Sequence, residues 1–405
     1  MFLNLFNYLF FSVLGSAIGF LTTIYLARTI SQESMGVVGL FAAFLFVAPQ
    51  IVSFASSGLI SINKIGFNKE KYQKFTDVYI TFGFFNYFFL FLLTLSLTLV
   101  YKEYLIVFLA VPLVSLLMFL SSFHQSELVI EGKSRAYGLY NLAFTIGSSL
   151  FTVLFVSAIG LSWEGRVFGV LVGQISLLLF MAFFTFQSLR QVSFEFNKSK
   201  FIEFYTFGLP LFAGLAAGWI LNQADNYIVL AFFSLKDVGL YAVAYSIGAA
   251  VNTVNQSATN AILPILYQAL KEKRGRKLVR KLNIYYSFFI LLLSFFVGLG
   301  SFWYVPVLFG DEYASSSIIV FFVSLAFGFN GIYRTTNGVI AFYKRNALQM
   351  KLVYVSAVIN ILVSLSLIST IGLVAPAVGT LVAYIFLALS CYYFGWKVLR
   401  EEELS

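Results

Sequence analysis

The chain has 405 residues, of which 60% are hydrophobic, 19% aromatic and only 11% charged, with a mean hydropathy of +0.90. A soluble domain carries about 25% charged residues, so this composition excludes one and reads as a polytopic membrane protein. The net charge of +9 does not point to nucleic acid, because the basic residues fall in alternate loops between apolar runs.

Those runs are continuous and lack the alternation of barrel strands, so an all-α protein is expected. One Cys (Cys391) and one His (His124) leave no intramolecular disulfide, no thiolate metal cluster and little for zinc or Ser/His catalysis. About 20 residues cross the hydrocarbon core. On that measure twelve spans are predicted: 4–26, 35–61, 77–100, 104–126, 137–160, 167–188, 203–232, 239–266, 283–307, 314–342, 347–369 and 374–396. The first is read as a span and not a cleaved signal, since it has no charged leader and no A-x-A site.

The loops after even-numbered spans, with the C-terminal tail, hold 21 Lys and Arg; those after odd-numbered spans hold four, and Arg334 lies inside a span. The basic loops include Lys64 to Lys74, Arg190 to Lys200 and Lys271 to Lys281. Positive charge stays inside, so both termini are predicted to be cytoplasmic. The run Lys271 to Lys277 reads as a topology determinant that also collects anionic headgroups of membrane lipids.

The chain repeats itself. Ser31-Gln32-Glu33-Ser34-Met35-Gly36 and Ser234-Leu235-Lys236-Asp237-Val238-Gly239 each link the first two spans of a half. Ile159-Gly160-Leu161 and Ile371-Gly372-Leu373 each link the last two. Two six-helix lobes related as a parallel repeat are therefore expected, at 1–200 and 201–405.

Polar side chains concentrate in the second half. Asn222, Asp225 and Asn226 share one face of the seventh span, and a carboxylate there reads first as functional. Asn252, Asn255, Gln256, Thr259 and Asn260 make a stripe on the eighth span, and Asn330, Arg334 and Asn337 another on the tenth. Such stripes face either a neighbouring helix or a hydrated cavity. Helix rise puts Asp225 and Arg334 at similar depths, so they are expected to pair. Opening that pair would free a guanidinium whose planar fork suits phosphate. Pro210 reads as a hinge in the seventh span or as its first turn. Arg28 reads as an interfacial anchor or a ligand.

Several segments together resemble one family. Tyr25-Leu26-Ala27-Arg28-Thr29-Ile30-Ser31-Gln32-Glu33-Ser34-Met35-Gly36 is similar to the link between the first two helices of polysaccharide flippases in the multidrug/oligosaccharidyl-lipid/polysaccharide exporter superfamily. Gly208-Leu209-Pro210, Asp225 to Leu230, Val238 to Tyr245 and Pro264 resemble the opening of that family's second half. Ile371 to Ala377 resembles a later motif, with Pro376 in place of its second Gly.

The resemblance implies two lobes around a central cavity that work by alternating access, and no enzyme activity. It implies an undecaprenyl-pyrophosphate-linked oligosaccharide as cargo, such as an O-antigen repeat for lipopolysaccharide, moved from the inner to the outer leaflet of the bacterial inner membrane. Polysaccharide polymerase machinery would be its partner. No cofactor and no metal site are implied, and a coupling ion, H+ or Na+, stays open. The alternatives are an ion-coupled exporter of small molecules with the same fold, or a membrane polymerase. The short outer loops argue against the polymerase.

Overall fold

The computed structural model describes residues 2–184, 193–272 and 276–404. Arg190 and Lys273 to Gly275 of the basic segments, and positions 185–188 of the sixth predicted span, lie outside the described residues. Thirteen α-helices follow in order: α1 (Phe2–Thr29), α2 (Gln32–Ser53), α3 (Gly58–Gly66), α4 (Lys69–Val100), α5 (Leu105–Ile130), α6 (Ser134–Ile159) and α7 (Trp163–Phe184). Then come α8 (Lys198–Phe232), α9 (Leu235–Lys271), α10 (Arg276–Phe309), α11 (Ser317–Phe342), α12 (Asn346–Ile371) and α13 (Ala375–Leu404). No strand occurs among the described residues.

Among the described residues, ten segments are long and apolar enough to cross a membrane. One of the ten, Asn346 to Glu401, contains both α12 and α13, and α9 is absent because its amides dilute it. With α2 and α3 taken as one broken span, the twelve predicted spans are all present as helices. Large apolar side chains stand outside, Trp303 at 75% and Phe288 at 69% exposure. Water would penalise such a surface, whereas lipid solvates it.

Local chemistry sets the helix ends. Asn68 caps α4 by accepting from the Lys71 amide at 2.9 Å. Ser234 and Asp237 form a capping box at the start of α9, each side chain taking the other's backbone N–H. At the end of α6, Gly160 takes φ +78°, a left-handed turn that costs it nothing for want of a Cβ.

The predicted span 35–61 is a correction. It breaks between α2 and α3, where Phe54 and Ala55 adopt φ +46° and +54°. Left-handed backbone is costly for both residues and persists only when the surroundings impose it. Here α8 does so: a Cβ on Gly208 would stand 2.0 Å from the Phe54 carbonyl oxygen. The Phe54 ring stacks on Phe212 at 5.1 Å and meets Tyr205 edge-on at 4.7 Å.

The chain forms two compact units, Met1–Ile30 with Leu40–Ala216, and Ser31–Gly39 with Ala217–Ser405. They differ from the predicted halves because the first part of α8 packs on the first unit, where the Tyr205 hydroxyl donates to Asn86 at 2.6 Å. Unit one is built around an aromatic core of Phe41, Tyr79, Phe82, Phe119, Phe123 and Phe204. Its buried Glu127 accepts from Lys64 at 2.9 Å and from Tyr72 at 3.0 Å, with His124 3.6 Å away. Lys64, Tyr72 and Glu127 thus tie α3, α4 and α5 together, with the His124 ring beside them.

Unit two has a core of small and aromatic residues, including Ala326, Ala383, Tyr384 and Leu387. In this unit the first turns of α2 cross those of α9 at glycines. A Cβ on Gly36 would meet the Leu235 carbonyl oxygen at 2.2 Å, and one on Gly239 would meet that of Gln32 at 2.0 Å. These glycines close the two equivalent links of the repeat.

Candidate functional site

Asp225 is fully buried on α8. Its Oδ2 accepts from the Tyr241 hydroxyl of α9 and the Thr380 hydroxyl of α13, both at 2.7 Å. Thr380 in turn accepts from the Asn360 amide of α12 at 2.7 Å, and that amide also lies beside the carboxyl. α12 and α13 approach this closely because residue 379 is glycine: a Cβ there would stand 2.1 Å from Ser364 Oγ. Asp225 Oδ1, Asn360 Oδ1 and Ser364 Oγ are buried without a hydrogen bond.

Buried oxygens are normally satisfied, so the carboxyl keeps a spare acceptor at Asp225 Oδ1 with the Asn360 carbonyl oxygen spare beside it. Carboxyl, amide carbonyl and hydroxyl oxygens are hard donors, suited to a proton on the acid or to a hard cation. Asn360 and Ser364, an i, i+4 pair on one face of α12, were the sequence signal for this half of the cluster.

Arg334 lies half-buried on α11. Its Nε donates to Asn330 Oδ1 at 2.8 Å, one turn back on the same helix. Tyr286 and Tyr384 lie within electrostatic range of the guanidinium. Tyr384 donates to Asn222 Oδ1 at 3.0 Å, and Asn222 itself donates to the Gly218 carbonyl at 2.6 Å. The Tyr333 hydroxyl accepts from Gln349 at 3.3 Å.

The predicted Asp225–Arg334 pair is a second correction. Neither residue takes part in the ion pairs within 4.0 Å among the described residues. Equal depth does not fix azimuth, and hydroxyls from α9 and α13 occupy the carboxyl instead.

The α9 stripe divides. Asn255 is fully buried, its amide donating to the Phe327 carbonyl at 2.6 Å and its oxygen accepting from Tyr286 at 2.9 Å. That is interhelical hydrogen bonding. Asn252 is half-buried with a spare Oδ1, whereas Gln256 and Asn260 are exposed. Asn226 is buried, bonded to Gln223 at 3.4 Å with its own oxygen spare, and Asn337 is half-buried with a spare oxygen. Arg28 is exposed in the last turn of α1, in the first unit. Pro210 lies well inside the continuous α8 rather than in its first turn, with its ring exposed. Thr380, Tyr286 and Tyr384 had no signal in the sequence, since single hydroxyls are common in apolar helices, and Tyr241 was marked only as part of the family-like stretch Val238 to Tyr245.

The comparisons with known proteins agree with this architecture. A family model described as a polysaccharide biosynthesis protein matches residues 25–318. The Lsg locus putative protein 1 of Haemophilus influenzae is 28% identical over 184 residues, 43% of this chain and 45% of that protein. An uncharacterized membrane protein of Methanocaldococcus jannaschii is 25% identical over 223 residues, 52% of this chain and 42% of that one. The matched stretch spans less than half the length of either relative.

Among solved structures, the lipid II flippase MurJ in an inward closed conformation superposes with a TM-score of 0.71 at 15% identity, covering 97% of this chain and 87% of that one. An inward-facing multidrug resistance MATE family transporter of the MOP superfamily gives 0.69 at 13% identity, covering 96% of both. At such identities the likeness is one of fold, and that fold is the predicted multi-pass helical one. Since the family model spans most of its length, the chain belongs to the polysaccharide biosynthesis protein family.

Proposed function

We propose that this chain is a flippase that carries a polyprenyl-pyrophosphate-linked oligosaccharide, of the O-antigen repeat kind, from the inner to the outer leaflet. The observation that carries the reading is Arg334: a guanidinium within a span, held by one neutral amide with phenols nearby. Such a charge is costly in a membrane and is kept where a ligand answers it. A pyrophosphate answers it with paired oxygens that match the guanidinium fork. Asn222, Asn252, Asn330 and Asn337 supply amides for the sugar hydroxyls. On this reading both termini are cytoplasmic, which the distribution of Lys and Arg among the loops supports, and the likeness to MurJ and the family match support a lipid-linked cargo.

Asp225 supplies the coupling group: a proton or a hard monovalent cation arriving at its spare oxygens changes the charge of the cluster that joins α8, α9, α12 and α13. The same cluster favours a second reading, an ion-coupled exporter of small molecules, in keeping with the MATE-like fold.

Complementation of a flippase-deficient strain separates the two, with surface polysaccharide and membrane protein level measured together. Restored polysaccharide supports the flippase. Normal insertion without polysaccharide, together with export of a cationic dye, supports the exporter.

A further inference from the structure

Arg166 stands three residues past Trp163, the first residue of α7. An arginine this close to the end of a membrane span ordinarily turns its head toward the nearer interface. This one turns the other way. Its Nη1 donates to Thr152 Oγ1 at 3.3 Å, and Thr152 is fully buried on α6, seven residues before the helix ends at Ile159. At 1.5 Å per residue the hydroxyl lies about 10 Å below that end.

The approach is built into the helix packing. A Cβ on Gly169 would stand 2.2 Å from Thr152 Oγ1 and 2.7 Å from its backbone nitrogen, so only glycine admits α6 this near to α7. Thr152 gives its own proton to the Ser148 carbonyl at 2.6 Å, so its oxygen can only accept from the guanidinium. Glu164 turns back to the Ser162 amide at 3.2 Å. Among the described residues no carboxylate lies within 4.0 Å of Arg166. The free carbonyls at the end of α6 do not compensate it either, because Thr152 precedes the last turn. Arg166 is half-buried, and a guanidinium does not shed its proton, so on its inward side the charge is met by one neutral hydroxyl.

We infer that Arg166, positioned by Thr152, is a phosphate-accepting subsite in the outer part of the first unit. It takes a phosphate-bearing lipid headgroup, and this inference rests on the flippase reading for the direction of travel. On that reading the ligand is the cargo's pyrophosphate as it leaves, whereas Arg334, eight residues from the inner end of α11, meets it first. The same chemistry would hold the phosphate of a bulk anionic phospholipid, and the test distinguishes the two.

The full chain is purified and placed in phosphatidylcholine nanodiscs, in an Arg334→Gln background so that the other guanidinium does not contribute. Thermal unfolding and tryptophan fluorescence are followed against inorganic pyrophosphate, then in discs containing phosphatidylglycerol. Trp163, one helical turn from Arg166, lies close enough to report. Adding Arg166→Gln is expected to weaken the pyrophosphate response about tenfold or more. The melting temperature without anion should stay level or rise, because a charge met on its inward side by one neutral hydroxyl has been removed. Arg166→Lys should restore part of the response.

A response to phosphatidylglycerol alone that Arg166→Gln abolishes supports the subsite, with bulk lipid as its occupant. A variant that melts lower without anion, with both anion responses unchanged, overturns the subsite and leaves Arg166 a structural residue. Translocation of a fluorescent polyprenyl-pyrophosphate oligosaccharide in proteoliposomes, by the chain with Arg334 intact, is scored separately. Its absence beside an Arg166-dependent pyrophosphate response sinks the flippase reading and keeps the subsite.

Discussion

The two units treat buried charge differently. At Glu127 of the first, a carboxylate is met by an ammonium at 2.9 Å and a phenol at 3.0 Å, and Asp77 takes the backbone and hydroxyl of Ser193 at 3.2 and 3.1 Å. At Asp225 and Arg334 of the second, every close partner is neutral, and Asp225 Oδ1 and Asn360 Oδ1 are spare. A paired charge fixes helices in place. An unpaired one is unfavourable until something binds, so it biases the protein toward a ligand. Asp77 and Arg166 are the exceptions in the first unit, a carboxylate met by neutral donors and a cation met by a hydroxyl.

The contrast breaks first at Arg334. Arg334→Ala should lower polysaccharide translocation by about 100-fold, the range expected for losing a desolvated charge contact, with normal membrane insertion. Arg334→Lys should keep part, since the ammonium preserves charge without the fork. Full surface polysaccharide from Arg334→Ala would remove the second unit's claim to the cargo.

Asp225→Asn comes next. It keeps the shape and the hydrogen bonds from Tyr241 and Thr380 while removing the titrating charge. Translocation should fall about tenfold, and the remainder should lose its dependence on the driving ion gradient. Undiminished, gradient-driven transport by the Asp225→Asn variant would place the coupling elsewhere.

Glu127→Ala sharpens the other side of the contrast, because its effect should fall on stability. Removing one partner of a buried pair strands the other. Lys64 is 26% exposed, so the loss should be about 2 kcal/mol, below the figure for a fully buried pair. Thermal unfolding in detergent measures it. Lys64→Met with Glu127→Gln should recover much of the loss. Loss of transport at unchanged stability would show the first unit's pair to be functional as well.

Much of this was legible from the letters. Apolar runs of about 20 residues fix helices in a membrane because only a helix satisfies its backbone polar groups within one continuous segment. The repeat was visible at Gly36 and Gly239 because those links need the same missing Cβ. The break at Phe54 and Ala55 was not visible, since neither residue is a turn former and the cause is α8 pressing Gly208 on the Phe54 carbonyl. Asp225 and Arg334 announced themselves as charges in spans. Their partners did not, because rotation about a helix axis decides which neighbour a side chain meets, and spacing along one helix says nothing of that.

The smallest expected effect tests that last point on α9. With Cys391 replaced by Ala, single cysteines are placed at Asn252, Asn255 and Asn260. A thiol reacts with a polar maleimide only as thiolate, and thiolate forms only where water reaches. Asn260→Cys and Asn252→Cys should therefore label if their part of the stripe is hydrated. Asn255→Cys should stay unlabelled, because the Phe327 carbonyl, Tyr286 and Gly331 enclose that position. Little change in transport is expected from Asn260→Cys, while Asn255→Cys should cost about 1–3 kcal/mol, as Tyr286 and the carbonyl lose their partner. Three inert positions would mean that the exposed Asn260 faces lipid rather than water and would leave Arg334 without a hydrated approach along α9. Equal labelling at all three would mean that α9 and α11 part at Asn255 during the cycle, and the packed turn would then belong to the moving part of the second unit.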